Sequence, residues 1–346
     1  MTETTVVPAD QLTGTVERIF ATLGYSATAA WTVAESLVAA DLRGVASHGV
    51  LLVPMYAERI RRGSVSLAEK AKVVTDFGAV ATLDADHGLG QLSGDQAMRL
   101  AVEKAHTHGI GAVAVRHAFH FGAAFRYAVA AADAGLVGVA AANTRPLMPA
   151  PGGARAVVGN NPLAIAVPLP GRPPMVLDMA LSEAALGKIR LAAQEGRDIP
   201  ATWATDAAGE PTTDPGAALA GLLLPTGGPK GYGLALMIDV LTGALSGGAF
   251  GSGVRGLYAD TSVPNDCAHF FLALDPAAFG AEFAGNALRL AEEVEASPTR
   301  PGVDRVHLPG QLEHRRSESA LRDGIQLDGS VLAALHNTAE SLGVSR

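Results

Sequence analysis

The fold of this chain is decided at Asp41-Leu-Arg-Gly-Val-Ala-Ser-His-Gly-Val50, read together with His117-Ala-Phe-His-Phe-Gly122. Each stretch places a histidine near a glycine at a break between helix-like or strand-like segments. Glycine lets the backbone turn sharply there and leaves the imidazole accessible. Two such histidines, brought together by folding, suit proton transfer near neutral pH. A histidine beside a glycine is also typical of a surface turn, so other parts of the sequence are needed to distinguish a catalytic histidine from a structural one.

The composition is that of an ordinary folded protein. The 346 residues are 48% hydrophobic and 17% charged, which predicts a sizeable core and two lobes. The formal net charge of -8 argues against nucleic-acid binding. The apolar stretches are too short to span a bilayer, and no signal-peptide pattern opens the chain. We therefore expect a cytoplasmic protein with neither a nucleic-acid nor a membrane partner.

Several kinds of site are excluded by what the sequence lacks. Cys267 is the only cysteine, so an internal disulfide and a cysteine-based metal cluster are excluded. It lies in the apolar run Cys267-Ala-His-Phe-Phe-Leu-Ala-Leu274, which is typical of a buried strand. Neither the His-Glu-x-x-His metal motif nor the Gly-x-Ser-x-Gly elbow is present. The sequence predicts no metal site.

Hydrophobic periodicity predicts an α/β fold. Strands are expected near 72–74, 80–83, 110–115, 136–142, 163–167, 175–177 and 270–274. Helices are expected between them and at both ends of the chain, among them 51–61, 123–134, 182–193, 234–245 and 279–293. The segment 199–228 is expected to be mostly loop. Because strands and helices do not alternate steadily, the pattern favours a mixed sheet wrapped by helices over a doubly wound sheet.

Two glycine-rich helix starts could bind an anion. Gly88-Leu-Gly90 precedes a helix, but Ser93 stands where a Rossmann fingerprint needs its third glycine, so a plain helix start is favoured. Gly227-Gly-Pro-Lys-Gly-Tyr-Gly233 places Lys230 and free backbone amides at a positive helix end, which suits a phosphate. A flexible turn with a solvent-facing lysine explains the second pattern equally well.

The motifs resemble, in order, those of the type 2 malate/L-lactate dehydrogenase family, which includes ureidoglycolate dehydrogenase, sulfolactate dehydrogenase and piperideine-2-carboxylate reductase. The likeness extends from about residue 12 to 325. It rests on the Asp41 to Gly49 stretch with Pro54 and Tyr56, His120-Phe-Gly122, Pro151-Gly-Gly153, Gly159-Asn-Asn-Pro-Leu163, Leu177-Asp-Met-Ala180, Gly187-Lys188, Gly228-Pro-Lys-Gly-Tyr-Gly233 and Pro309-Gly310.

The resemblance implies an NAD(P)-dependent oxidoreductase with a mixed, largely antiparallel sheet and a cofactor-binding fold unlike the Rossmann domain. It implies a homodimer with active sites near the subunit interface. We expect three regions: a helical substrate and dimerisation region of residues 1–75 with 311–346, a linking α/β segment 76–122, and a cofactor-binding domain 123–310.

The same resemblance assigns the site residues. His120 matches the general acid/base, and Ser47 and His48 match residues that line the substrate pocket. In the oxidising direction a neutral His120 would accept the hydroxyl proton, and His48 would hydrogen-bond the same oxygen; the two roles could also be exchanged. The positions expected to contact the cofactor are Thr144, Asp178, Met179, Ala180, Lys230, Pro309, Gly310 and Gln311.

One departure from the family pattern concerns substrate binding. Members commonly carry an arginine in Ser-His-Gly-x-x-Arg, where it suits a carboxylate, and this chain has Leu52 there. Arg145 is our preferred replacement, because it follows Thr144 in a turn fixed by proline. Arg116 and Arg126 also lie near motif corners, but exposed charged tips are the favoured interpretation for both.

Three functions remain open from the sequence. The first is a dehydrogenase for a small 2-hydroxy acid, working reversibly on the 2-oxo acid. The second is a reductase of cyclic or N-alkyl imino acids, and the third a non-catalytic dimeric binding protein, which the intact histidines disfavour. The choice between NAD and NADP is open as well. Glu183 could bond a ribose hydroxyl, whereas Lys188 or Arg190 could attract a 2'-phosphate.

Overall fold

The computed structural model describes residues 4–344. Its strands are β1 (Thr4–Val7), β2 (Lys72–Phe77), β3 (Val80–Asp84), β4 (Ile110–Ala118), β5 (Val137–Ala142), β6 (Met148–Pro149), β7 (Ala156–Val158), β8 (Leu163–Leu169), β9 (Arg172–Met179), β10 (Cys267–Leu274) and β11 (Ile325–Asp328). Its helices are α1 (Ala9–Thr22), α2 (Ala27–Leu42), α3 (Val53–Arg61), α4 (Gly90–His108), α5 (Phe125–Asp133), α6 (Leu186–Glu195), α7 (Pro215–Ala220), α8 (Pro229–Asp239), α9 (Phe283–Glu295), α10 (Gln311–Asp323) and α11 (Gly329–Ser341).

A seven-stranded sheet forms the centre of the molecule, in the order β2-β3-β4-β10-β5-β8-β9. Only β3 and β4 pair in parallel within it, and every other neighbouring pair is antiparallel. The mixed, largely antiparallel sheet is therefore confirmed. The sheet draws strands from both the 76–122 segment and the 123–310 region, while the domain boundaries themselves stay a prediction.

The middle strand of this sheet is β10, which lies between β4 and β5. Cys267, Ala268, His269, Phe271 and Ala273 are buried, because helices cover the sheet on both faces at its centre. The expected buried strand around Cys267 is confirmed. Because β10 lies between β4 and β5, it joins the strands on either side of it into one sheet.

A separate helical layer is built from the two ends of the chain. Apolar residues of α1, α2, α3 and α11 share one buried cluster. Ser26 begins α2 by accepting a hydrogen bond from the Ala29 amide, as expected of an N-cap. The short pair β1 and β11 fastens the termini together. The sequence did not indicate this pair, because the pairing joins segments more than 300 residues apart and neither is long enough to show an alternating pattern.

Some helix boundaries differ from those expected. α8 begins at Pro229, five residues before the predicted start, and ends at Asp239 with a wide turn over Val240–Ala244. Proline is favoured in a first helical turn because its missing N–H needs no partner there. α6 begins at Leu186 instead of Ser182, and α7 interrupts the expected 199–228 loop. Among the described residues no helix is both long and apolar enough to cross a membrane.

Candidate active site

The Asp41 to Gly49 stretch forms a tight corner between α2 and α3. The buried carboxylate of Asp41 accepts a hydrogen bond of 2.8 Å from the Val50 amide. A Cβ atom at position 49 would lie 2.0 Å from Oδ1 of Asp41, so only glycine fits against this carboxylate. Burial raises the pKa of Asp41 to about 7. The corner fixes the backbone on which His48 stands.

His120 is held by a second corner, where β4 ends against the start of α4. A Cβ atom at position 90 would lie 2.2 Å from the carbonyl oxygen of Phe119. Gly90 is thus required for close packing at the residue where α4 begins. Three non-glycine residues of this region adopt positive φ angles, namely Asp86 (50°), His87 (57°) and His117 (48°).

The two corners bring His48 and His120 together. Their rings stack with 5.5 Å between centroids and 27° between planes. Burial lowers the pKa of both imidazoles, and for His120 the neighbouring His48 and His269 lower it further. Both rings are therefore neutral near pH 7. A neutral imidazole beside a cavity can exchange a proton with a bound molecule.

Behind His120 lies a residue to which the sequence assigned no role. The hydroxyl of Tyr56 is 2.7 Å from Nδ1 of His120, and Nε2 of Gln91 donates to that hydroxyl over 3.1 Å. Both side chains are fully buried. Tyr56 belongs to the motif that carries the family resemblance, so that motif was the available signal for it. For Gln91 the sequence offered none.

Both histidines face one large cavity of about 820 Å³. Of the residues predicted for the site, those that line it are His48, His120, Thr144, Arg145, Asp178, Met179, Ala180, Pro309 and Gly310. The structure thus brings together nine residues from five separate stretches of the sequence. The size suits a drug-sized or larger ligand enclosed by protein.

Three predicted site residues do not line this cavity. Ser47 lies beside it, with its hydroxyl 2.9 Å from Nδ1 of His48. Lys230 is exposed in the first turn of α8. Gln311 accepts a hydrogen bond from the Leu308 amide and donates one to Glu295, so its amide stabilises the Pro309-Gly310 turn from outside.

Thr144 is fixed by the Gly159-Asn-Asn motif. Its amide donates to Oδ1 of Asn161 over 2.8 Å, and its hydroxyl donates to Oδ1 of Asn160 over 2.9 Å. A Cβ atom at position 159 would lie 2.2 Å from the Thr144 hydroxyl, which explains the glycine. Because Asn160 itself lines the cavity, this network presents polar groups to a ligand.

One end of the cavity carries carboxylates. Asp178 accepts a hydrogen bond of 3.0 Å from the Phe125 amide. Asp178 is open to water on the cavity side. Protein surrounds the rest of its side chain, and this loss of hydration raises the pKa of Asp178 to about 6. Glu313 lines the same part, together with Arg43, whose guanidinium lies 4.3 Å from the Phe125 ring centre. Carboxylates that line a cavity can accept hydrogen bonds from hydroxyl groups of a bound ligand.

Another part of the cavity carries arginines. Arg145, Arg190 and Arg255 line it, and none of them forms an ion pair with any residue between 4 and 344. Arg145 lies across Gly256, where a Cβ atom would be 2.9 Å from its Cδ. The pKa of Arg145 is lowered by burial and by Arg190. Unpaired arginines that converge on a cavity are suited to an anionic ligand.

The other two candidate arginines have structural partners. Arg126 bonds both Asp95 and Glu35, and Arg116 bonds Asp84 over 3.0 Å. The expectation of exposed tips was wrong for both, because their carboxylate partners lie on other elements of the fold. Leu52 is buried in the helical layer and does not line the cavity.

Similarity to known proteins agrees with this geometry. The sequence profile of the malate/L-lactate dehydrogenase family matches residues 7–336. The malate dehydrogenase of Pyrococcus abyssi is 38% identical over 98% of this chain and 95% of its own length. The chain belongs to the malate/L-lactate dehydrogenase family.

Solved structures of malate/L-lactate dehydrogenases share the whole fold. The sulfolactate dehydrogenase of Methanocaldococcus jannaschii aligns with a TM-score of 0.93 and 35% identity, over 99% of this chain and 98% of that one. The delta1-piperideine-2-carboxylate reductase of Pseudomonas syringae pvar. tomato aligns with a TM-score of 0.87 and 30% identity, over 97% of this chain and 100% of that one. The chain is accordingly a dehydrogenase of this family, and family membership implies a nicotinamide cofactor.

The cavity of this family member fits such a cofactor. Its walls are mostly apolar, and Asp178 and the Thr144 network supply hydrogen-bonding groups besides the histidines. At Gly310, with φ of 83°, a Cβ atom would lie 2.8 Å from Cβ of Val176, so the turn requires glycine there. Within residues 4–344 no group of three or more His, Cys, Asp or Glu side chains could hold a metal ion.

Proposed function

We propose that this protein interconverts a small 2-hydroxy acid and the corresponding 2-oxo acid, with His120 exchanging the proton at the substrate oxygen. The observation that carries the proposal is the stacked pair His48 and His120 at the wall of the cavity. A bound nicotinamide supplies the hydride chemistry. His120 removes the hydroxyl proton in the oxidising direction and returns it in the reducing direction.

His48 has a different role in this proposal. Its Nδ1 is engaged with the Ser47 hydroxyl, which leaves Nε2 for the substrate oxygen. A hydrogen bond from this nitrogen stabilises the negative charge that develops on the oxygen during reduction. Ser47 acts by orienting His48, which agrees with its place beside the cavity.

The acid group of the substrate needs a cationic partner. Arg145 is the predicted anchor, and Gly256 allows its side chain to lie against the cavity wall. Arg190 adjoins it closely enough to lower its pKa. Arg145 would form charge-assisted hydrogen bonds with the substrate carboxylate. It would thereby replace the arginine that other family members commonly carry at position 52.

Thr144, Asp178, Met179, Ala180, Pro309 and Gly310 would hold the cofactor, since all six line the cavity. In this proposal Asp178 would accept hydrogen bonds from ribose hydroxyls. Lys230 and Gln311 remain predicted cofactor contacts, and neither lines the cavity as it stands. For NAD or NADP, the exposed Lys188 would attract a 2'-phosphate, whereas the exposed Glu183 would repel one. Titration of the protein fluorescence with NADH and NADPH separates the two.

A homodimer is the assembly we propose. Exposed apolar side chains lie along α8 and the turn after it, where monomers rarely leave such a stripe uncovered. They are Leu234, Met237, Leu241 and Leu245, which are 43%, 51%, 43% and 60% exposed. The opposite face of α8 packs in the cluster of Ala235 and Ile238 close to the cavity. A second copy of the chain bound to this face of α8 would place the subunit interface next to the active site.

Reduction of a cyclic imino acid is the second candidate, favoured by the similarity to the piperideine-2-carboxylate reductase. The same histidines would then protonate nitrogen. Oxidation of NADH or NADPH is followed with 2-oxo acids, with cyclic imines, and with 2-oxo acids plus methylamine. Activity with plain 2-oxo acids supports the proposal, and activity with imines alone replaces it by the second candidate.

A further inference from the structure

Two fully buried polar side chains form a chain that leads to His120 from the side away from the cavity. Nε2 of Gln91 donates to the hydroxyl of Tyr56 over 3.1 Å, and that hydroxyl is 2.7 Å from Nδ1 of His120. Tyr56 comes from α3 and Gln91 from α4, and both side chains are fully buried. Polar groups are seldom placed in a helical core unless their hydrogen bonds have a purpose.

The direction of this chain follows from its first donor. Because the Gln91 amide donates to the oxygen of Tyr56, the hydroxyl proton of Tyr56 is free to point at His120. The backbone amide of Gly122 also points at Nδ1, over 3.4 Å, a length at which it contributes weakly. Nδ1 is thus faced by the Gly122 N–H, which can only donate, and by a hydroxyl whose proton is not needed elsewhere, and both favour Nδ1 as the acceptor.

We propose that Tyr56, held by Gln91, is a positioning residue that keeps neutral His120 with its proton on Nε2, so that the resting enzyme offers a hydrogen-bond donor to a 2-oxo acid. The proposal rests on the proposed function, since His120 is the group that exchanges the proton. The tautomer of a histidine is set by the hydrogen bond that its other nitrogen makes. The site is accordingly preset for reduction.

The proton balance of the reducing direction is complete within this chain. The substrate oxygen takes the proton from Nε2 as the bond between them breaks, and Nδ1 takes the hydroxyl proton of Tyr56. His120 therefore stays neutral throughout. The phenolate oxygen left on Tyr56 is held by the Gln91 N–H. After the product leaves, Nε2 of His120 takes a proton from water in the cavity, and Nδ1 returns its proton to Tyr56. Oxidation is the reverse and starts with the Tyr56 proton already lost to water, which burial of this hydroxyl makes costly, so the site favours reduction.

The surroundings of His120 agree with a neutral ring. His48 and His269 both lower its pKa, beyond the effect of burial, and Tyr56 is in direct contact with it. His269 is fully buried, and burial lowers its pKa to about 3, so it adds no positive charge that could be shared. Burial also raises the pKa of Tyr56, which keeps its hydroxyl protonated at neutral pH.

The direct test is the tautomer of His120, read by nitrogen NMR of the full-length protein with ¹⁵N-labelled histidine. Assignment uses the signal lost in His120→Ala. We expect a protonated Nε2 in the wild type and a changed or mixed tautomer in Tyr56→Phe. Tyr25→Phe is the matched control, because the Tyr25 hydroxyl bonds the Ser66 carbonyl in the same helical layer, away from His120. A wild-type His120 protonated on Nδ1 would overturn the proposal, because the chain would then run in the opposite direction.

Kinetics supply the second readout. Tyr56→Phe should lower kcat for reduction by roughly 10- to 100-fold, with KM and cofactor affinity close to wild type, as is usual when an orienting partner of a histidine is lost. Gln91→Met should show a smaller loss of the same kind. An unchanged kcat in Tyr56→Phe would also overturn the proposal. If no 2-oxo acid is reduced at all, the proposed function fails, whereas the NMR result still decides the tautomer.

Discussion

The imidazole rings of His48 and His120 stack 5.5 Å apart, although 72 residues of sequence separate them. The contact exists because Asp41 with Gly49 fixes one corner, and Gly90 against Phe119 fixes the other. Each corner lies where regular elements meet, and both histidines lie outside the helices and strands named above. The site is therefore a product of two loops held rigid by buried contacts, and each contact can be tested separately.

Replacement of His120 by alanine removes the group that exchanges the substrate proton. We expect kcat to fall by roughly two to four orders of magnitude, the usual contribution of a positioned acid or base. Cofactor affinity, measured by fluorescence titration, should stay nearly unchanged. His106→Ala, at an exposed position on α4, is the control. Wild-type turnover in His120→Ala would remove this residue from the chemistry.

His48 is expected to act by hydrogen bonding. His48→Gln keeps a side-chain donor and should retain much of the activity, whereas His48→Phe keeps the ring without the donor. We expect kcat/KM of His48→Phe to fall by roughly 10- to 100-fold, the value of one hydrogen bond to a charged group. If His48→Phe matched the wild type, the ring would serve only to pack against His120.

Arg145 anchors the acid group of the substrate in this account. Arg145→Ala should raise KM for the acid by about 10- to 100-fold with a smaller change in kcat, since the lost ion pair binds substrate and transition state alike. Arg155→Ala, exposed and outside the cavity lining, is the matched control. An unchanged KM in Arg145→Ala would move the anchor to Arg190 or Arg255.

The buried Asp41 should make stability depend on pH. Its pKa rises from 3.8 to about 7 on folding, so the folded protein holds the proton more tightly than the unfolded chain. The resulting stabilisation is fully present below pH 3.8 and is lost as the pH rises through 7. Asp41→Asn cannot ionise. The free energy of unfolding of this variant, measured with urea, should fall less between pH 4 and 7 than that of the wild type. Parallel pH curves for the two proteins would contradict the assignment.

The exposed face of α8 predicts where two copies meet. Leu241→Glu should shift the protein from dimer to monomer in light scattering after size exclusion, because a buried carboxylate without a partner is costly. Leu290→Glu, on α9 and also exposed, is the control and should stay dimeric. A dimer that persists in Leu241→Glu with the same dissociation constant would place the interface elsewhere.

Local patterns were enough to predict much of this fold. Apolar runs such as Cys267 to Leu274 indicated the central strands, and glycines indicated the corners beside His48 and His120. The absence of a steady strand and helix rhythm indicated the mixed sheet. Each of these features depends on residues close together in sequence, for which side-chain periodicity and turn chemistry are informative.

The parts that could not be predicted depend on distant residues. Tyr56 reaches His120 across 64 positions, and Arg126 reaches Glu35 across 91. No local pattern distinguishes an arginine that pairs with a carboxylate from one that faces a cavity, so Arg116 and Arg126 were misjudged and Arg255 was overlooked. The same holds for Leu52, whose position in the helical core is visible only in three dimensions.

The central claim is that this protein transfers hydride from carbon 2 of a hydroxy acid. The most direct measurement is a single-turnover reaction with NAD⁺ or NADP⁺ in excess, followed by the absorbance of the reduced nicotinamide, using 2-hydroxy acids with hydrogen or deuterium at carbon 2. We expect the reduced cofactor to form from at least one such acid, and more slowly from the deuterated form. If no 2-hydroxy acid yields reduced cofactor while the cofactor demonstrably binds, the claim is wrong.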